Sequence, residues 1–142
     1  MTATINYEGN LRCNATHLQS GTTIETDAPT DNRGKGERFS PTDLVCTALG
    51  TCMITTMAIK ATDMGIELKD TTVSVKKYMA SDPRRISKID VVLTFPPALL
   101  LDEKDMIIMK RTGEHCPVIK SLHPDVVVNI EWVNDKVKAL AG

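Results

Sequence analysis

The sequence predicts an α+β fold, formed by a single domain over residues 1–142. Three observations predict it: short alternating segments before residue 30, one long apolar helix after residue 40, and further alternating segments after that helix. The predicted strands follow one another instead of alternating with helices, which favours antiparallel sheets over a doubly wound sheet. At 15.6 kDa the chain can bury a core, but it is short for an enzyme that encloses a substrate alone.

The first segments predict a small three-stranded meander. The stretches "TINYEG" and "LRCNATH" alternate polar with apolar residues, as half-buried strands do. A third stretch, "TTIETDAP", follows the turn signal Ser20–Gly21 and predicts the third strand. The next stretch, "TDNRGKGERF", is polar and contains two glycines, so we expect a mobile surface loop there.

The strongest element is a long helix with clear signals at both ends. Ser40 can cap it, Pro41 suits the first helical position, and Asp43 stands in capping-box register with Ser40. Gly65 suits a left-handed cap at its end, which gives about 24 residues and roughly 36 Å of helix. Apolar residues recur at helical spacing and most of the remaining face is threonine, so the helix should be buried nearly all round. One chain of this size has little material to surround it, which indicates a partner subunit.

The rest of the chain predicts a hairpin, two helices and a last strand. "TTVSVKKYMA" and "ISKIDVVLTF" read as two strands joined across "SDPRR". A helix is expected from Asp102 to Gly113, followed by a short helix that Pro117 opens and Pro124 closes. "DVVVNIEWV" predicts the final strand.

Composition excludes several classes of function. The chain has 17 basic and 18 acidic residues, so no nucleic-acid partner is expected. The N-terminus has no basic or apolar targeting segment, and no stretch reaches the roughly 18 apolar residues of a membrane span. We therefore expect a soluble cytoplasmic protein with no membrane partner. Its four cysteines, without C-x-x-C spacing, should be reduced there.

Two of the cysteines are candidates for thiol chemistry, for which the reactive form is the thiolate. Cys116 precedes Pro117 and can cap the short helix, where free backbone N–H groups favour an anion. The alternative is a thiol that merely precedes a turn proline. Cys52 lies eleven positions past Pro41, too far along a continuous helix for help from the helix dipole.

Activation of Cys52 therefore has two possible sources. If Gly50 breaks the helix, Cys52 lies near the start of a new segment and regains the help of free N–H groups. If the helix is continuous, a cation must lie nearby, and the candidates are Arg12 on the second strand and Arg38 at the end of the loop. Without such a partner, Cys52 is an inert core residue.

The other cysteines and the histidines suggest weaker alternatives. Cys46 and Cys13 are expected to serve packing only. A zinc site would draw on several cysteines and one histidine, but the ligand spacing of known zinc sites is absent; the residues concerned are Cys46, Cys52, His115 and Cys116. A cysteine–histidine pair for acyl transfer, with His115 or His123, is indicated by residue types alone.

Two motifs together resemble the OsmC/Ohr family of cysteine-dependent hydroperoxide reductases. They are "SPTDLVCTALGTCMITTMAIKATDMGIEL" and, some sixty residues later, "HCPVIKSLHPDVVV". In that family, a proline-opened central helix carries one cysteine and a Cys-Pro motif carries the other. The resemblance covers nearly the whole chain and implies an OsmC-like fold. In this fold, antiparallel sheets from both chains wrap the two long central helices of an intertwined homodimer, with the active sites at the interface.

The resemblance also implies roles for individual residues. Cys52 matches the cysteine that attacks a hydroperoxide, and Cys116 matches the one that resolves the sulfenic acid as a disulfide. Arg12 takes the place of the family's arginine, with Arg38 as a rival. The glutamate that holds this arginine in the family is replaced by Thr42 here, which indicates a divergent branch.

The function predicted is therefore that of a thiol-dependent peroxidase that reduces hydroperoxides, preferably organic ones. The resemblance implies no metal and no organic cofactor, only an external thiol or dithiol reductant. The alternative prediction, motivated by Thr42, is an OsmC-like stress-associated or small-molecule-binding dimer with weak or no peroxidase activity.

Overall fold

The computed structural model describes residues 1–134, and within that range the α+β class is confirmed. The elements follow the predicted order along the chain. They are β1 (Ala3–Gly9), β2 (Arg12–His17), β3 (Thr23–Asp27), a 3₁₀ turn (Thr30–Asn32), α1 (Pro41–Asp63), β4 (Thr72–Ala80), β5 (Arg85–Phe95), α2 (Glu103–Glu114), α3 (Pro117–Ser121) and β6 (Val127–Asn134). The chain divides into two compact units, residues 1–45 and the part from Cys46 onward. A single domain over residues 1–142, of which 135–142 lie outside the described range, stays a prediction.

The first unit holds an antiparallel meander with strand order β1–β2–β3. Cross-strand partners share a face of the sheet, so the register sorts the side chains into two sets. Ile5, Ala15 and Ile24 stand side by side on one face, whereas Arg12 and Asp27 pair on the other. The apolar face remains open in the single chain, because Ile5 and Ile24 are both exposed.

Helix α1 begins and ends where the sequence predicts. Ser40 and Asp43 form a reciprocal capping box: the Asp43 N–H donates to Ser40 Oγ at 3.0 Å, and the Ser40 N–H donates to Asp43 Oδ2 at 2.9 Å. At the other end, Gly65 has a φ of +70°, and the Ile66 N–H donates to the Ala61 carbonyl at 2.8 Å. The helix continues through Gly50, so the alternative of a break at that glycine is wrong.

The single chain buries α1 on one side only, so burial nearly all round, which was expected with a partner subunit, stays a prediction. One side is buried, including Leu49, Met53 and Met57, but the other side is open and Ile59 is 65% exposed. The open side carries residues at alternating spacings of four and three, the pattern of one continuous helix face. We call this face the α1 stripe; it consists of Ala48, Cys52, Thr55, Ile59 and Thr62.

The same helix corrects a second expectation. At 23 residues, α1 is long and apolar enough to span a membrane by length and composition, although no such stretch was expected from the sequence. A core helix of a soluble protein passes the same test, so one helix of this kind is weak evidence for a membrane. Its buried side packs into the core of the second unit, which gives the apolar residues a partner within the protein.

The second unit is built on a mixed sheet with strand order β4–β5–β6. The hairpin β4–β5 is antiparallel as predicted, whereas β6 runs parallel to β5, with Lys88 opposite Val127. A parallel neighbour needs a crossover connection, and α2 and α3 supply it between the two strands. Strand β5 turns alternate residues into the core, and these are fully buried: Ile89, Val91, Leu93 and Phe95. Phe95 stacks on Trp132 of β6 with ring centroids 6.3 Å apart.

Helix α2 comes close to its neighbours at Gly113. A β-carbon at this position would lie 2.9 Å from Met57 Sδ and 3.1 Å from Trp132 Cη2. Met57 is itself fully buried, so it has little room to move aside. The absence of a side chain at residue 113 therefore allows the close approach of α1, α2 and β6.

We expect Gly113→Ala to destabilise the protein by about 1–2 kcal/mol, because overpacking outweighs the better helix propensity of alanine. The measurement is chemical denaturation of both proteins. Glu114→Ala is the matched control, since Glu114 is the next residue of the same helix and is exposed. A Gly113→Ala protein as stable as the wild type would contradict the packing described here.

Candidate active site

Cys52 lies in the middle of α1 and is the partly buried member of the α1 stripe. Its side chain is partly exposed, and Sγ lies 3.9 Å from the hydroxyl of Thr56, one turn further along the helix. Cys52 also packs against buried residues of the core. It is therefore a thiol with one side in the protein interior and the other accessible.

Cys116 occupies the N-cap of α3, as the Cys-Pro sequence predicts, with Pro117 in the first helical turn. The residue is completely buried, at 0% exposure. Its side chain makes no capping hydrogen bond, but the backbone N–H groups of Ile119 and Val118 act to lower the pKa of the thiol. The N-cap position thus directs free N–H groups of the helix at the Cys116 thiol, as expected for a helix start.

The structure brings the two candidate thiols together. The side chains of Cys52 and Cys116 lie close enough for Cys52 to raise the pKa of the Cys116 thiol, and both cysteines are in the free, reduced form. The contact joins α1 to the N-terminus of α3 within the second unit. Two sulfurs in such a contact can form a disulfide without a large movement of the backbone.

Burial raises the pKa of the Cys116 thiol above its usual range. The N–H groups of Ile119 and Val118 act in the opposite direction, while the hydrogen bond and the charge of Cys52 raise the pKa further. Cys116 is therefore held as the neutral thiol at neutral pH. A neutral S–H next to Cys52 is a hydrogen-bond donor for that sulfur, and it is not a competing nucleophile.

Arg12, the first candidate cation, is paired within the first unit. Its Nε and Nη2 donate to the two carboxylate oxygens of Asp27 at 2.7 and 2.8 Å. Nη2 also donates to Glu37 at 3.2 Å, and Glu25 lies 3.8 Å from Nε. Its pKa is raised far above the usual range by these partners, Asp27 first, so the guanidinium carries a permanent charge.

Arg38, the second candidate, is held more loosely in the same unit. Its Nε lies 3.7 Å from Glu25, and its Nη1 donates to the carbonyl of Glu37 at 3.0 Å. The side chain is 43% exposed, compared with 22% for Arg12. Two arginines and three carboxylates form this cluster, which carries a net charge of −1.

The remaining candidates are two cysteines and two histidines. Cys46 is buried in the core, and Cys13 lies on β2 opposite Tyr7 and Thr26. The ring of His115 hydrogen-bonds the Arg111 carbonyl, and that of His123 accepts from the Asp125 N–H. Within residues 1–134, no group of three or more metal-ligating side chains is assembled, so the zinc alternative gains no support.

The sequence reasoning missed Asp27 and Glu37, the partners of Arg12. The turn signal at Ser20–Gly21 does not find Asp27, because counting outward from it along both strands places residue 12 opposite residue 29, two positions beyond the observed partner. Glu37 lies in the loop after β3, where no periodic pattern indicates which side chain will contact Arg12.

Comparison with known proteins identifies the family to which the chain belongs. The family model described as OsmC-like protein matches residues 34–131, and the chain belongs to this family. A solved structure from Psychrobacter arcticus 273-4, given provisionally as an osmotic stress induced and detoxification response protein, is 48% identical to it. The match covers 93% of this chain and 95% of that one, with a TM-score of 0.88. No protein with curated annotation matches the chain.

Two more distant structures share the fold. An organic hydroperoxide resistance protein OsmC from Legionella pneumophila is 14% identical over 94% of this chain and 97% of that one, with a TM-score of 0.72. The organic hydroperoxide resistance protein OhrB of Bacillus subtilis is 18% identical over 93% and 98% of the two chains, with a TM-score of 0.64. At these identities, the likeness establishes the shared fold.

We expect the two thiols to differ in reactivity. At pH 8, iodoacetamide should alkylate Cys52 at least about tenfold faster than Cys116, because Cys116 is buried and its pKa is raised. Mass spectrometry of the digested protein, sampled over time, measures both rates. Labelling in denaturant is the control and should make the two rates similar. Faster labelling of Cys116 in the folded protein would contradict the site described here.

Proposed function

We propose that this protein is a thiol-dependent peroxidase that reduces hydroperoxides, preferably organic ones. The observation that carries the proposal is the proximity of a partly exposed thiol, Cys52, to a buried one, Cys116. Family membership and the names of the relatives support a redox role of this kind.

The proposed reaction has three steps. First, the Cys52 thiolate attacks the O–O bond of ROOH, and with one proton this gives Cys52 sulfenic acid and ROH. Second, the Cys116 thiol condenses with the sulfenic acid to form a Cys52–Cys116 disulfide and water. Third, an external thiol or dithiol reduces the disulfide and is itself oxidised. The cycle requires no metal and no organic cofactor.

We assign the order in which the two cysteines react from their difference in burial. A hydroperoxide must reach the attacking sulfur from solvent, and Cys52 is the one of the pair that is accessible. Cys116 needs to reach only Cys52, which it already contacts, and burial protects it from reaction with peroxide. The surrounding core contains methionines and aliphatic groups, which suit an alkyl group better than bare hydrogen peroxide.

Stabilisation of the Cys52 thiolate is assigned to a guanidinium, with Arg12 preferred over Arg38. Both arginines carry a permanent charge suited to an anion. Arg12 is the better fixed of the two, because two of its nitrogens are held by one buried carboxylate. A fixed cation loses less conformational freedom when it stabilises a developing charge.

We propose further that the protein is a soluble cytoplasmic homodimer. The open side of α1 presents Ile59 and its neighbours on the α1 stripe, and the N-terminal sheet presents Ile5 and Ile24. Each is apolar surface that a single chain leaves uncovered, and exposed surface of this kind is typical of interfaces. A reducing compartment would keep the paired thiols in the free state that the first step requires.

We expect Cys52→Ser to abolish peroxide consumption with cumene hydroperoxide, because serine forms no sulfenic acid. Cys116→Ser should retain the first step but accumulate Cys52 sulfenic acid, which dimedone traps. Consumption is followed by a ferrous-oxidation assay with dithiothreitol as the reductant, and dimedone adducts by mass spectrometry.

Cys46→Ser is the matched control, since Cys46 lies on the same helix but is buried in the core. It should consume peroxide like the wild type. Unchanged peroxide consumption by Cys52→Ser would exclude the proposed function.

We expect Ile59→Asp to convert the dimer into a monomer, because a charge would be buried in the apolar contact between two α1 stripes. Light scattering after size-exclusion chromatography measures the molecular mass. Ile107→Asp on α2 is the matched control, as Ile107 is 44% exposed and lies outside the α1 stripe. An Ile59→Asp protein with the mass of the wild type would contradict an interface on this face.

The second candidate function is an OsmC-like stress-associated or small-molecule-binding dimer with weak or no peroxidase activity. The net charge of −1 on the arginine cluster favours it, because a guanidinium already neutralised by carboxylates stabilises a thiolate less. The pH dependence of Cys52 alkylation separates the two functions. A midpoint at or above about 8.5, the value of an unperturbed thiol, favours the binding protein, and a much lower one favours the peroxidase.

A further inference from the structure

Thr56 contacts the sulfur of Cys52 from within α1. Its Oγ1 lies 3.9 Å from Cys52 Sγ, one helical turn away, and the contact is partly buried. A hydroxyl can both donate and accept a hydrogen bond, so it can pair with either a thiol or a thiolate. The two side chains belong to one helix of the second unit, so the helix itself sets their spacing.

The hydroxyl of Thr56 is placed differently from those of two other threonines on the same helix. A helical threonine commonly donates to the main-chain carbonyl three or four residues earlier. Thr51 and Thr62 do so, at 3.1 and 2.8 Å. The hydrogen-bonding partner of Thr56 is instead the side chain of Cys52, so its hydroxyl is turned toward the thiol.

A side-chain donor matters at Cys52 because of its place in the helix. Cys52 lies in the interior of continuous α1, where main-chain N–H groups bond to carbonyls of the preceding turn. A thiolate that forms there therefore needs donors from side chains. A hydrogen bond to a charged acceptor is stronger than one between neutral groups, so the contact with Thr56 gains strength when the thiol ionises.

The contact between Thr56 and Cys52 is long in the reduced protein, as suits a neutral thiol. Hydrogen bonds of catalytic groups are often long in the free protein and shorten when the reaction proceeds. The hydroxyl hydrogen rotates about its bond to carbon. Thr56 can therefore turn this hydrogen toward the sulfur without a movement of the helix.

We propose that Thr56 is a catalytic residue for the thiol chemistry of Cys52, whose hydroxyl donates a hydrogen bond to the Cys52 thiolate. The inference deepens the proposed function and rests on it, because Cys52 there reacts as the thiolate. No covalent bond is made or broken at Thr56. Its hydroxyl stabilises the ionised sulfur and so raises the thiolate fraction at neutral pH.

Cys116 is the titratable group that faces Cys52 from α3. Burial raises the pKa of Cys116, so it remains a neutral thiol at neutral pH. A change in Cys52 alkylation that follows substitution of Thr56 is therefore assigned to Cys52 itself.

The test is the pH profile of Cys52 alkylation by iodoacetamide, followed by mass spectrometry on the full chain without peroxide. Thr56→Val removes the hydroxyl but keeps the branched shape, and we expect the midpoint of the profile to rise by about 0.5–1 pH unit. The rate at pH 7 should fall about threefold, because a more nucleophilic thiolate partly offsets the smaller thiolate fraction. Thr56→Ser keeps the hydroxyl and should have the profile of the wild type.

Thr51→Val is the matched control. It makes the same substitution one residue before Cys52, at an exposed threonine whose hydroxyl bonds to the main chain. This variant should alkylate like the wild type. Thr56→Ala also lacks the hydroxyl and should resemble Thr56→Val. Circular dichroism establishes that each variant is folded.

Three results would overturn the inference: Thr56→Val has the wild-type profile, Thr56→Ser shifts the midpoint as far as Thr56→Ala, or Thr51→Val shifts it as far as Thr56→Val. The second result would indicate that the methyl group of Thr56 acts by packing. Failure of the proposed function is observed separately, as peroxide consumption that survives Cys52→Ser. Alkylation requires no peroxide, so the two ideas are judged on different measurements.

Discussion

The packing that buries Cys116 but leaves Cys52 accessible is the constraint on which the rest of the site depends. One side of α1, the inward residues of β5 and part of α2 form the core of the second unit. Cys116, at the start of α3, is buried in this core. Cys52 lies at the margin of the same core, in contact with Cys116. Two identical functional groups thus differ in solvation, and solvation decides which of two thiols reacts first.

Two opposing effects act on the pKa of Cys116: the N–H groups at the start of α3 lower it and burial raises it. The N–H groups of Val118 and Ile119 favour a thiolate at Cys116, yet burial outweighs them and the pKa rises. From sequence, the Cys-Pro motif indicates only the favourable effect, because burial depends on contacts made with distant elements. The structure therefore changes the role expected of this helix start, because burial outweighs its effect and Cys116 remains a neutral thiol.

Elements with local signals were predictable, and features that depend on distant contacts were not. The capping box of Ser40 and Asp43, the glycine at 65 and the Cys-Pro cap follow from residues close in sequence. The parallel pairing of β6 with β5 depends on the path of α2 and α3 across the sheet, which no periodicity encodes. The Arg12–Asp27 pair belongs with the features that could not be predicted, because the observed β2–β3 register differs by two residues from the one that the turn signal at Ser20–Gly21 indicates.

The open side of α1 carries both Cys52 and the apolar residues of the proposed dimer contact. Cys52 belongs to the α1 stripe, four residues after Ala48 and seven before Ile59, so the open side of its sulfur and the apolar surface face the same direction. Whatever covers the α1 stripe therefore also forms a wall beside Cys52. In the proposed homodimer, this wall would come from the second copy, and it would shield the thiolate from water while leaving an apolar approach for an alkyl hydroperoxide. Association would then supply part of the substrate pocket, which suits a chain that is short for enclosing a substrate alone.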